Sequence, residues 1–565
     1  MKLRFFLTTL YTLIAISVLN SLNAKSTNFN YNAKNISNYF SALISFDNYD
    51  YLKSEKFFKK VKDSEKNNSS HSSRHIKSLI SLQKYSAAER YSRSLEIKKI
   101  SNFESNLILG LYEFKIGNSK KAKIYFNKLD RSFEHRMVSN TLKVSLNTWA
   151  SIDKLNKKQG MSSINKIPER LKNFKVIQKT LAHCFFNTSE ASKLFNKVAG
   201  DKQTNFSRYY FFYANYLSNK GDKRGAKKII NLASKQHPNN LLINQLKDTL
   251  NNNKKNNNKF ICQNKNHILA EIFYVIANAL STQGEYELSN FYINLSKYLN
   301  PNFSSYDSML AENFFILGKY KKAKNIYEKL ANTGLVYEWY ANKQIAFIYH
   351  NQNKKEEAIN LLSESYKNIV PTNYQTFDFA NFLKNRGKLE KSVELYSEIL
   401  DKINENHELF PKVLDRRGTV YERLGNWKLA EDDLTRSLEV SPEQPYVMNY
   451  LAYSWIEKGM NLSKALEMLK VANELKKDDG YITDSLGWAL YKLDRFAEAK
   501  KYLRTAIILM PSDPIVNDHF GDCLWKNNQK IQARYYWNYV LKLETTEEEL
   551  KKTIKNKLIF GLEKI

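Results

Sequence analysis

A recurring spacing constrains this chain more than any other feature of its sequence. Residues that open a helical turn, nearly all of them alanine or glycine, recur along the chain, many at intervals of 34 residues. They are Ala42, Ile76, Gly110, Ala182, Ala214, Ala277, Ala311, Ala346, Ala380, Gly418, Ala452, Gly487 and Gly521. After most of them a second small residue follows twelve positions later, and a large apolar residue follows four positions beyond that. A period in this range is typical of helical solenoids, and it leaves little of the chain for a separate catalytic domain.

The segment 481–514 shows why the pattern predicts paired helices. Gly487 lies on one face of a first helix, and Ala499 and Leu503 lie on one face of a second. The small residues let the two backbones approach closely, while the large apolar residue fills the space beside them. Pro511 ends the second helix, because proline lacks an N–H group and clashes with the preceding turn.

This pattern resembles the tetratricopeptide repeat (TPR) family, in which leucine and a small residue are followed by an apolar residue, alanine, a large apolar residue, alanine and proline. Further copies are Gly418, Tyr421, Ala430, Leu434 and Pro442; Ala452, Trp455, Ala465, Leu469 and Ala472; Gly521, Ala533, Trp537 and Val540; and Ala214, Leu217, Ala226, Ile230, Ala233 and Pro238. The resemblance implies an all-α fold, a right-handed superhelical solenoid of tandem helix-turn-helix repeats. The alternative is a coiled coil, but it would keep a seven-residue apolar period without Gly or Pro interruptions.

The first 24 residues predict a secretory signal peptide. A basic start is followed by an apolar run, Phe5–Leu19, and a short polar stretch that ends at Ala24. The apolar run is shorter than the ~20 residues that a membrane-spanning helix needs. We therefore expect an exported, periplasmic protein, with an uncleaved signal anchor as the alternative.

The rest of the chain divides into four predicted segments. Residues 25–250 form an N-terminal block of degenerate repeats, and residues 267–545 form a C-terminal block of clearer ones. Between them, residues 251–266 begin with an Asn- and Lys-rich run that has no large apolar side chain, so we expect a flexible linker. Residues 546–565 predict a capping helix that closes the array.

The predicted capping helix has a recognisable start and an apolar stripe. Residues 546–549 match a capping box, and apolar residues follow at helical spacing. They are Leu550, Ile554, Leu558 and Leu562. We expect the lysines of this segment to face water: Lys551, Lys552, Lys555 and Lys557.

The net charge of +31 invites a nucleic-acid function, which the pattern of charge does not favour. The lysines are scattered over helix surfaces instead of being gathered into one tract, and lysine greatly outnumbers arginine, the better residue for specific phosphate recognition. The predicted signal peptide also points away from a nucleic-acid partner. The remaining electrostatic expectation is weak attraction to anionic lipid or cell-wall polymer.

The three cysteines predict neither a disulfide nor a metal site. Cys184, Cys262 and Cys523 are far apart in sequence, and residues several repeats apart in a linear stack exceed the ~7 Å between Cα atoms that a disulfide allows. We therefore expect free thiols. The sequence has no Cys-x-x-Cys pair, and neither a metal nor a cofactor is expected.

No motif in the sequence predicts catalysis. His407 and Glu408 begin like a zincin motif, but Pro411 stands where the second histidine is needed. His519 lies near Asp518 and Asp522, yet on a helix flanked by polar residues we expect it to be solvated. The sequence does not predict an enzyme.

The resemblance implies a ligand groove lined by the first helix of each repeat. Its ligand-facing positions lie six and three residues before the small residue and one and four residues after it. On this chain they are Tyr446, Asn449, Tyr453 and Ile456; Tyr481, Asp484, Trp488 and Tyr491; and Ile515, Asp518, Asp522 and Trp525. Earlier repeats place an asparagine just after the small residue: Asn215, Asn278 and Asn381. The alternative is that these aromatic side chains pack against the neighbouring repeat.

These features predict a non-catalytic scaffold or adaptor that binds protein partners in a bacterial cell envelope. The alternative is a module that binds glycan or peptidoglycan through aromatic side chains of the groove. The sequence does not fix the oligomeric state.

Overall fold

The computed structural model describes residues 33–61, 69–129, 139–201, 206–252 and 258–562. The predicted signal peptide lies outside these ranges. Where the chain is described, it consists of α-helices, two short 3-10 segments and turns, without a β-strand. The predicted all-α fold of tandem helical pairs is confirmed. None of the helices in these ranges has the length and apolar composition to cross a lipid bilayer.

The helices fall into two compact units, residues 1–348 and residues 349–565. The first eighteen helices begin in unit 1: α1 Ala33–Asp47, α2 Tyr51–Phe58, α3 Ser69–Ser81, α4 Tyr85–Ile97, α5 Phe103–Lys115, α6 Ser119–Asn127, α7 Ser139–Ser151, α8 Lys157–Asn165, α9 Lys172–Phe185, α10 Glu190–Ala199, α11 Tyr209–Asn219, α12 Lys223–Gln236, α13 Leu241–Asn251, α14 Lys265–Thr282, α15 Tyr286–Leu299, α16 Ser304–Ile316, α17 Tyr320–Ala331 and α18 Leu335–Asn351. Twelve more follow in unit 2: α19 Lys355–Lys367, α20 Asn373–Lys384, α21 Leu389–Leu400, α22 Phe410–Arg423, α23 Trp427–Val440, α24 Pro445–Glu457, α25 Leu462–Leu475, α26 Gly480–Lys492, α27 Phe496–Leu509, α28 Pro514–Lys526, α29 Lys530–Val540 and α30 Glu548–Phe560.

The close approach of paired helices depends on the small residue that the sequence predicted. Four glycines at this position each face the large side chain sixteen residues later: Gly110 and Phe126, Gly418 and Leu434, Gly487 and Leu503, and Gly521 and Trp537. A Cβ atom on any of these glycines would lie 2.4 to 2.9 Å from that side chain. Because protein interiors are close-packed, no such atom fits without movement of the partner.

The turn inside each repeat requires a left-handed residue. Asp494 has φ 58° between α26 and α27, and Gly425 has φ 79° at the equivalent place between α22 and α23. The following amide then turns back onto the first helix, as Arg495 N donates to the carbonyl oxygen of Leu490 at 2.9 Å. This geometry satisfies carbonyl groups at the end of the first helix and starts the second at a fixed angle.

Unit 1 closes on itself, which a linear stack of repeats does not do. The hydroxyl of Tyr85 in α4 donates to the carbonyl oxygen of Asn294 in α15 at 2.9 Å. The ammonium of Lys115 in α5 donates to the carbonyl oxygen of Tyr298 at 2.9 Å. Helices near the start of unit 1 therefore pack against helices near its end.

The expectation of free thiols at Cys184 and Cys262 is wrong, because this closure brings the two residues together. They form a disulfide with 5.6 Å between their Cα atoms. The segment after α13 returns to α9, where Gln263 Nε2 donates to the carbonyl oxygen of Cys184 at 3.3 Å. The sequence argument assumed a linear stack, in which residues so far apart in sequence cannot meet. Cys523 is a free, buried thiol.

The described part of the predicted linker is packed within unit 1. The side chain of Asn258 is buried and accepts a hydrogen bond from the amide of Ser304 at 2.7 Å. Asn300 Nδ2 donates to the carbonyl oxygen of Lys259 at 3.1 Å. The two compact units divide after Ile348, and the predicted domain boundaries stay predictions.

The capping helix α30 differs from its prediction in two respects. The capping box is absent, since Glu547 is the N-cap without a side-chain hydrogen bond and Thr546 Oγ1 donates to the carbonyl oxygen of Val540 at 2.6 Å. Lys552 and Lys555 are exposed as expected, and Lys551 is half-buried. Lys557 is buried, so the expectation that it faces water is wrong. The reason is a pair of carboxylates on α28, described below.

Candidate functional site

Three first helices of unit 2, α24, α26 and α28, carry the predicted groove residues. α24 contacts α26, and α26 contacts α28. Pro445 and Pro514 stand at the start of α24 and α28, where the fixed proline φ favours a helix and no N–H group is lost from the ladder. The carboxylates of Asp479 and Asp513 cap α26 and α28 by accepting hydrogen bonds from the first amides.

The position six residues before the small residue is exposed in all three helices. The exposed fractions are 59% for Tyr446, 60% for Tyr481 and 44% for Ile515. The hydroxyl of Tyr446 donates to the carboxylate of Asp479 at 3.1 Å, which holds the first ring in place. We call Tyr446, Tyr481 and Ile515 the exposed row. Large side chains exposed at the same register of successive helices are suited to contact with a partner.

The next groove positions of α26 are covered by α28. The ring of Trp488 stacks on Tyr491 at 4.6 Å and on His519 at 3.9 Å between centroids. The indole Nε1 of Trp488 donates to the carboxylate of Glu457 at 2.6 Å. Trp488 is only 8% exposed, so it packs between repeats in this structure.

His519 is buried, and the expectation that it is solvated is wrong. Its Nδ1 atom lies 2.8 Å from Oδ2 of Asp484, and 6% of the residue is exposed. Burial alone would lower the pKa of His519, but the carboxylates of Asp484, Asp518 and Asp522 outweigh it and raise the pKa above its ordinary value. The carboxylate that contacts the imidazole belongs to Asp484 on α26, and the sequence neighbours Asp518 and Asp522 act on it through their charge.

Asp518 and Asp522 are occupied by a lysine from α30. Nζ of Lys557 lies 2.7 and 2.9 Å from the oxygens of Asp518 and 2.8 Å from both oxygens of Asp522. Trp537 Nε1 also donates to Asp522 at 3.0 Å. Burial and the adjacent Asp518 raise the pKa of Asp522 to about 6. Burial opposes the charge of Lys557, but the two carboxylates raise its pKa. Both aspartates are buried, and ligand binding by them stays a prediction.

The remaining predicted positions vary in exposure. Asn449, Tyr453 and Tyr491 are half-buried, whereas Ile456 and Trp525 are buried. Trp525 lies under Gly561, where a Cβ atom would be 2.1 Å from Cζ2 of the indole. Ligand binding by any of these residues stays a prediction.

The asparagines of the earlier repeats do not form a common site. Asn215 donates to the carbonyl oxygen of Phe211 within its own helix at 2.9 Å. Asn381 accepts a hydrogen bond from the hydroxyl of Tyr396 at 2.8 Å, and Asn278 is exposed. Two of the three thus have partners inside their own repeats.

One pair of residues with metal-ligand spacing escaped the sequence analysis. His71 and His75 stand one turn apart on α3, but their rings pack against Phe58 at 4.9 and 5.5 Å. Among the described residues, no group of three or more His, Cys, Asp or Glu side chains has an arrangement that could hold a metal ion.

Comparison with known proteins identifies the repeats. Residues 309–546 match the tetratricopeptide repeat family model. Residues 309–546 are therefore tetratricopeptide repeats, as the resemblance in the sequence implies. Repeats of this family imply a scaffold for protein–protein interaction.

Two sequence relatives and one solved structure show how far the similarity extends. The TPR repeat-containing protein PA4667 of Pseudomonas aeruginosa is 30% identical over 143 residues, which are 25% of this chain and 23% of that protein. The human protein O-mannosyl-transferase TMTC1 is 20% identical over 225 residues, 37% of this chain and 25% of that protein. The chain thus spans about a quarter of the length of each relative. A tetratricopeptide repeat protein from Parabacteroides merdae aligns with 16% identity and a TM-score of 0.37, covering 45% of this chain and 97% of that one.

Proposed function

We propose that this TPR protein is a non-catalytic scaffold of the bacterial cell envelope that binds partner proteins through the exposed row. The observation that carries the proposal is the repetition of a large exposed side chain at one register of α24, α26 and α28. Tyrosine buries a large area with little loss of conformational freedom, which makes exposed tyrosines effective anchors at protein interfaces.

The environment of the cysteines supports a location outside the cytoplasm. Disulfides persist in oxidising compartments, and the Cys184–Cys262 bond is buried in unit 1. The basic and apolar pattern of residues 1–24 supports the same location. Fractionation of cells that express the chain with and without residues 1–24 tests this. We expect the complete chain in the periplasmic fraction and the shortened chain in the cytoplasm. Recovery of the complete chain from the cytoplasm would contradict the proposed location.

The glycan alternative is not favoured by the geometry. A sugar ring needs an open aromatic face, whereas the ring of Trp488 stacks on Tyr491 and His519 and Trp525 is covered by Gly561. The open rings of the groove are those of Tyr446 and Tyr481, which stand on separate helices.

In-cell crosslinking followed by purification of the exported protein tests the scaffold. One variant replaces the exposed row with alanine, and a matched control replaces three exposed apolar residues of second helices with alanine. The control residues are Ile508, Ile531 and Tyr535. Both variants remove exposed side chains of similar kinds, so circular dichroism should show unchanged helix content in each.

We expect the exposed-row variant to lose a discrete set of envelope proteins that the control variant retains. Loss of the same proteins from both variants would point to a general effect of surface change. Retention of every partner by the exposed-row variant would refute the proposed binding surface.

A further inference from the structure

The end of the repeat array holds a lysine inside a built acidic site. Asp518 and Asp522 are each more than nine-tenths buried, and together they surround Nζ of Lys557 with four oxygens within 2.9 Å. Burying an ammonium group carries a large desolvation cost, which only close, well-oriented carboxylates offset. An apolar side chain at position 557 would close the array without that cost. The two aspartates therefore select for a cation at this position of the docked helix.

The apolar contacts of α30 further restrict which helix fits this surface. Ile554 is fully buried, and Leu550, Leu558 and Leu562 pack against the core of unit 2. Gly561 passes directly over the indole of Trp525, where no larger residue fits. The surface formed by α28 and α29 thus contacts one face of α30. The residues on that face are Leu550, Ile554, Lys557 and Gly561.

α30 is joined to the preceding repeat by a short segment and leaves two large apolar side chains exposed. It follows α29 through residues 541–547 and has no further helix after it among the described residues. Its N-cap residue, Glu547, makes no side-chain hydrogen bond to the first amides. Ile559 and Phe560, at its last turn, are 67% and 52% exposed. Local opening of α30 would uncover this surface without unfolding the repeats beneath it.

We propose that the surface formed by Asp518, Asp522 and Trp525 is a binding site for an amphipathic helix that carries a lysine. α30 occupies this site within the chain, and a partner helix with the same pattern replaces it. The inference rests on the proposed scaffold function, because it names the class of partner that the end of the groove accepts. It extends the binding surface beyond the exposed row to residues that α30 now covers.

A peptide with the sequence of residues 547–562 serves as the probe. It is labelled with fluorescein and titrated with the full-length protein, and binding is followed by fluorescence anisotropy. The proteins are the wild type, Lys557→Ala, and Lys555→Ala as a matched control from the exposed side of the same helix. A second peptide has norleucine in place of Lys557. Circular dichroism checks that each protein remains helical.

We expect the wild type and the Lys555→Ala control to bind the peptide equally weakly, because α30 competes within the chain. The Lys557→Ala protein should bind it about 30-fold more tightly, the equivalent of about 2 kcal/mol for loss of one partner of a buried charge pair. The norleucine peptide should lose most of this affinity. Equal affinity of the wild type and Lys557→Ala for the peptide, or equal binding of both peptides, would overturn the proposal.

Hydrogen exchange in the wild-type protein provides a measurement that does not depend on any variant. Saturating peptide should accelerate exchange of the amides of residues 548–560 without affecting those of α26. Unchanged protection of α30 would show a permanent cap and overturn the proposal. If this happens while the exposed-row variant still loses its partners, the scaffold function stands and only the helix site fails.

Discussion

The packing of Gly487 against Leu503 makes a quantitative prediction with an unusual sign. Replacing a glycine by alanine inside a helix normally stabilises a protein by about 0.5–1 kcal/mol, because alanine loses less backbone freedom on folding. At position 487 the new Cβ atom would lie 2.6 Å from Cγ of Leu503, 2.9 Å from its Cδ2 and 3.0 Å from its amide nitrogen. Rotation of the leucine side chain cannot relieve the contact with the backbone atom.

The expected result of Gly487→Ala is a net loss of about 1–2 kcal/mol in the free energy of unfolding of unit 2. Overpacking of a close-packed core costs about 1–3 kcal/mol, which exceeds the gain in helix propensity. Urea unfolding followed by tryptophan fluorescence measures this, since five of the seven tryptophans lie in unit 2. Stability equal to or above that of the wild type would refute the argument that this glycine is required by close helix approach.

A second variant isolates the contact from other effects of the methyl group. Leu503→Ala removes a fully buried side chain and should itself cost about 2–5 kcal/mol. In that background the contacts with Cγ and Cδ2 are gone and only the amide nitrogen of residue 503 remains at 3.0 Å, so Gly487→Ala should cost clearly less than it does in the wild type. The same loss in both backgrounds would place the effect of the methyl group elsewhere than at Leu503.

Two further predictions concern cysteine and histidine. In denaturant without a reductant, one thiol per chain should react with a thiol reagent, Cys523, and three should react after reduction; three thiols before reduction would contradict the disulfide. Replacing Cys184 and Cys262 with serine should destabilise unit 1 by about 4 kcal/mol, because the bond closes a chain segment with a sequence separation of 78. The C2 proton of His519 should titrate in NMR spectra with a midpoint above 6.5, and Asp484→Asn should lower it. Its contribution to stability is complete below pH 6.5 and lost as the pH rises through the folded-state pKa, so a midpoint at or below 6.5 would contradict the ion pair.

The repeat pattern predicted the helical pairs because each pair is fixed by contacts within about 16 residues. Gly110 and Phe126 meet in unit 1 just as Gly487 and Leu503 meet in unit 2. Such local contacts leave a direct mark on the sequence, because a solenoid repeat buries its apolar face against its neighbours. The approach of Cys262 to Cys184 has no comparable local sequence pattern, since it depends on the packing angles of all the helices between them.

Two errors at the predicted site have a common cause. The burial of Lys557 could have been expected from the helix alone, because it stands seven residues after Leu550 and three after Ile554, on the buried stripe of α30. Lys557 was expected to face water because it is charged, although its spacing places it on the buried side of the helix. His519 was judged from its polar neighbours in the same way. In both cases the missing information was a carboxylate on the preceding first helix, which lies 35 to 39 residues away.

The groove positions of one repeat differ in their exposure to solvent, and this difference explains how the array ends. The position six before the small residue stays exposed, whereas in α26 and α28 the aspartate three before it meets a basic side chain two helices further along the chain. Asp484 of α26 meets His519 of α28, and Asp518 of α28 meets Lys557 of α30. α30 therefore uses the interaction that a further repeat would use. A surface built to receive the next helix of a solenoid is also suited to a helix from another protein, because the same aspartate and the same apolar contacts are offered to either.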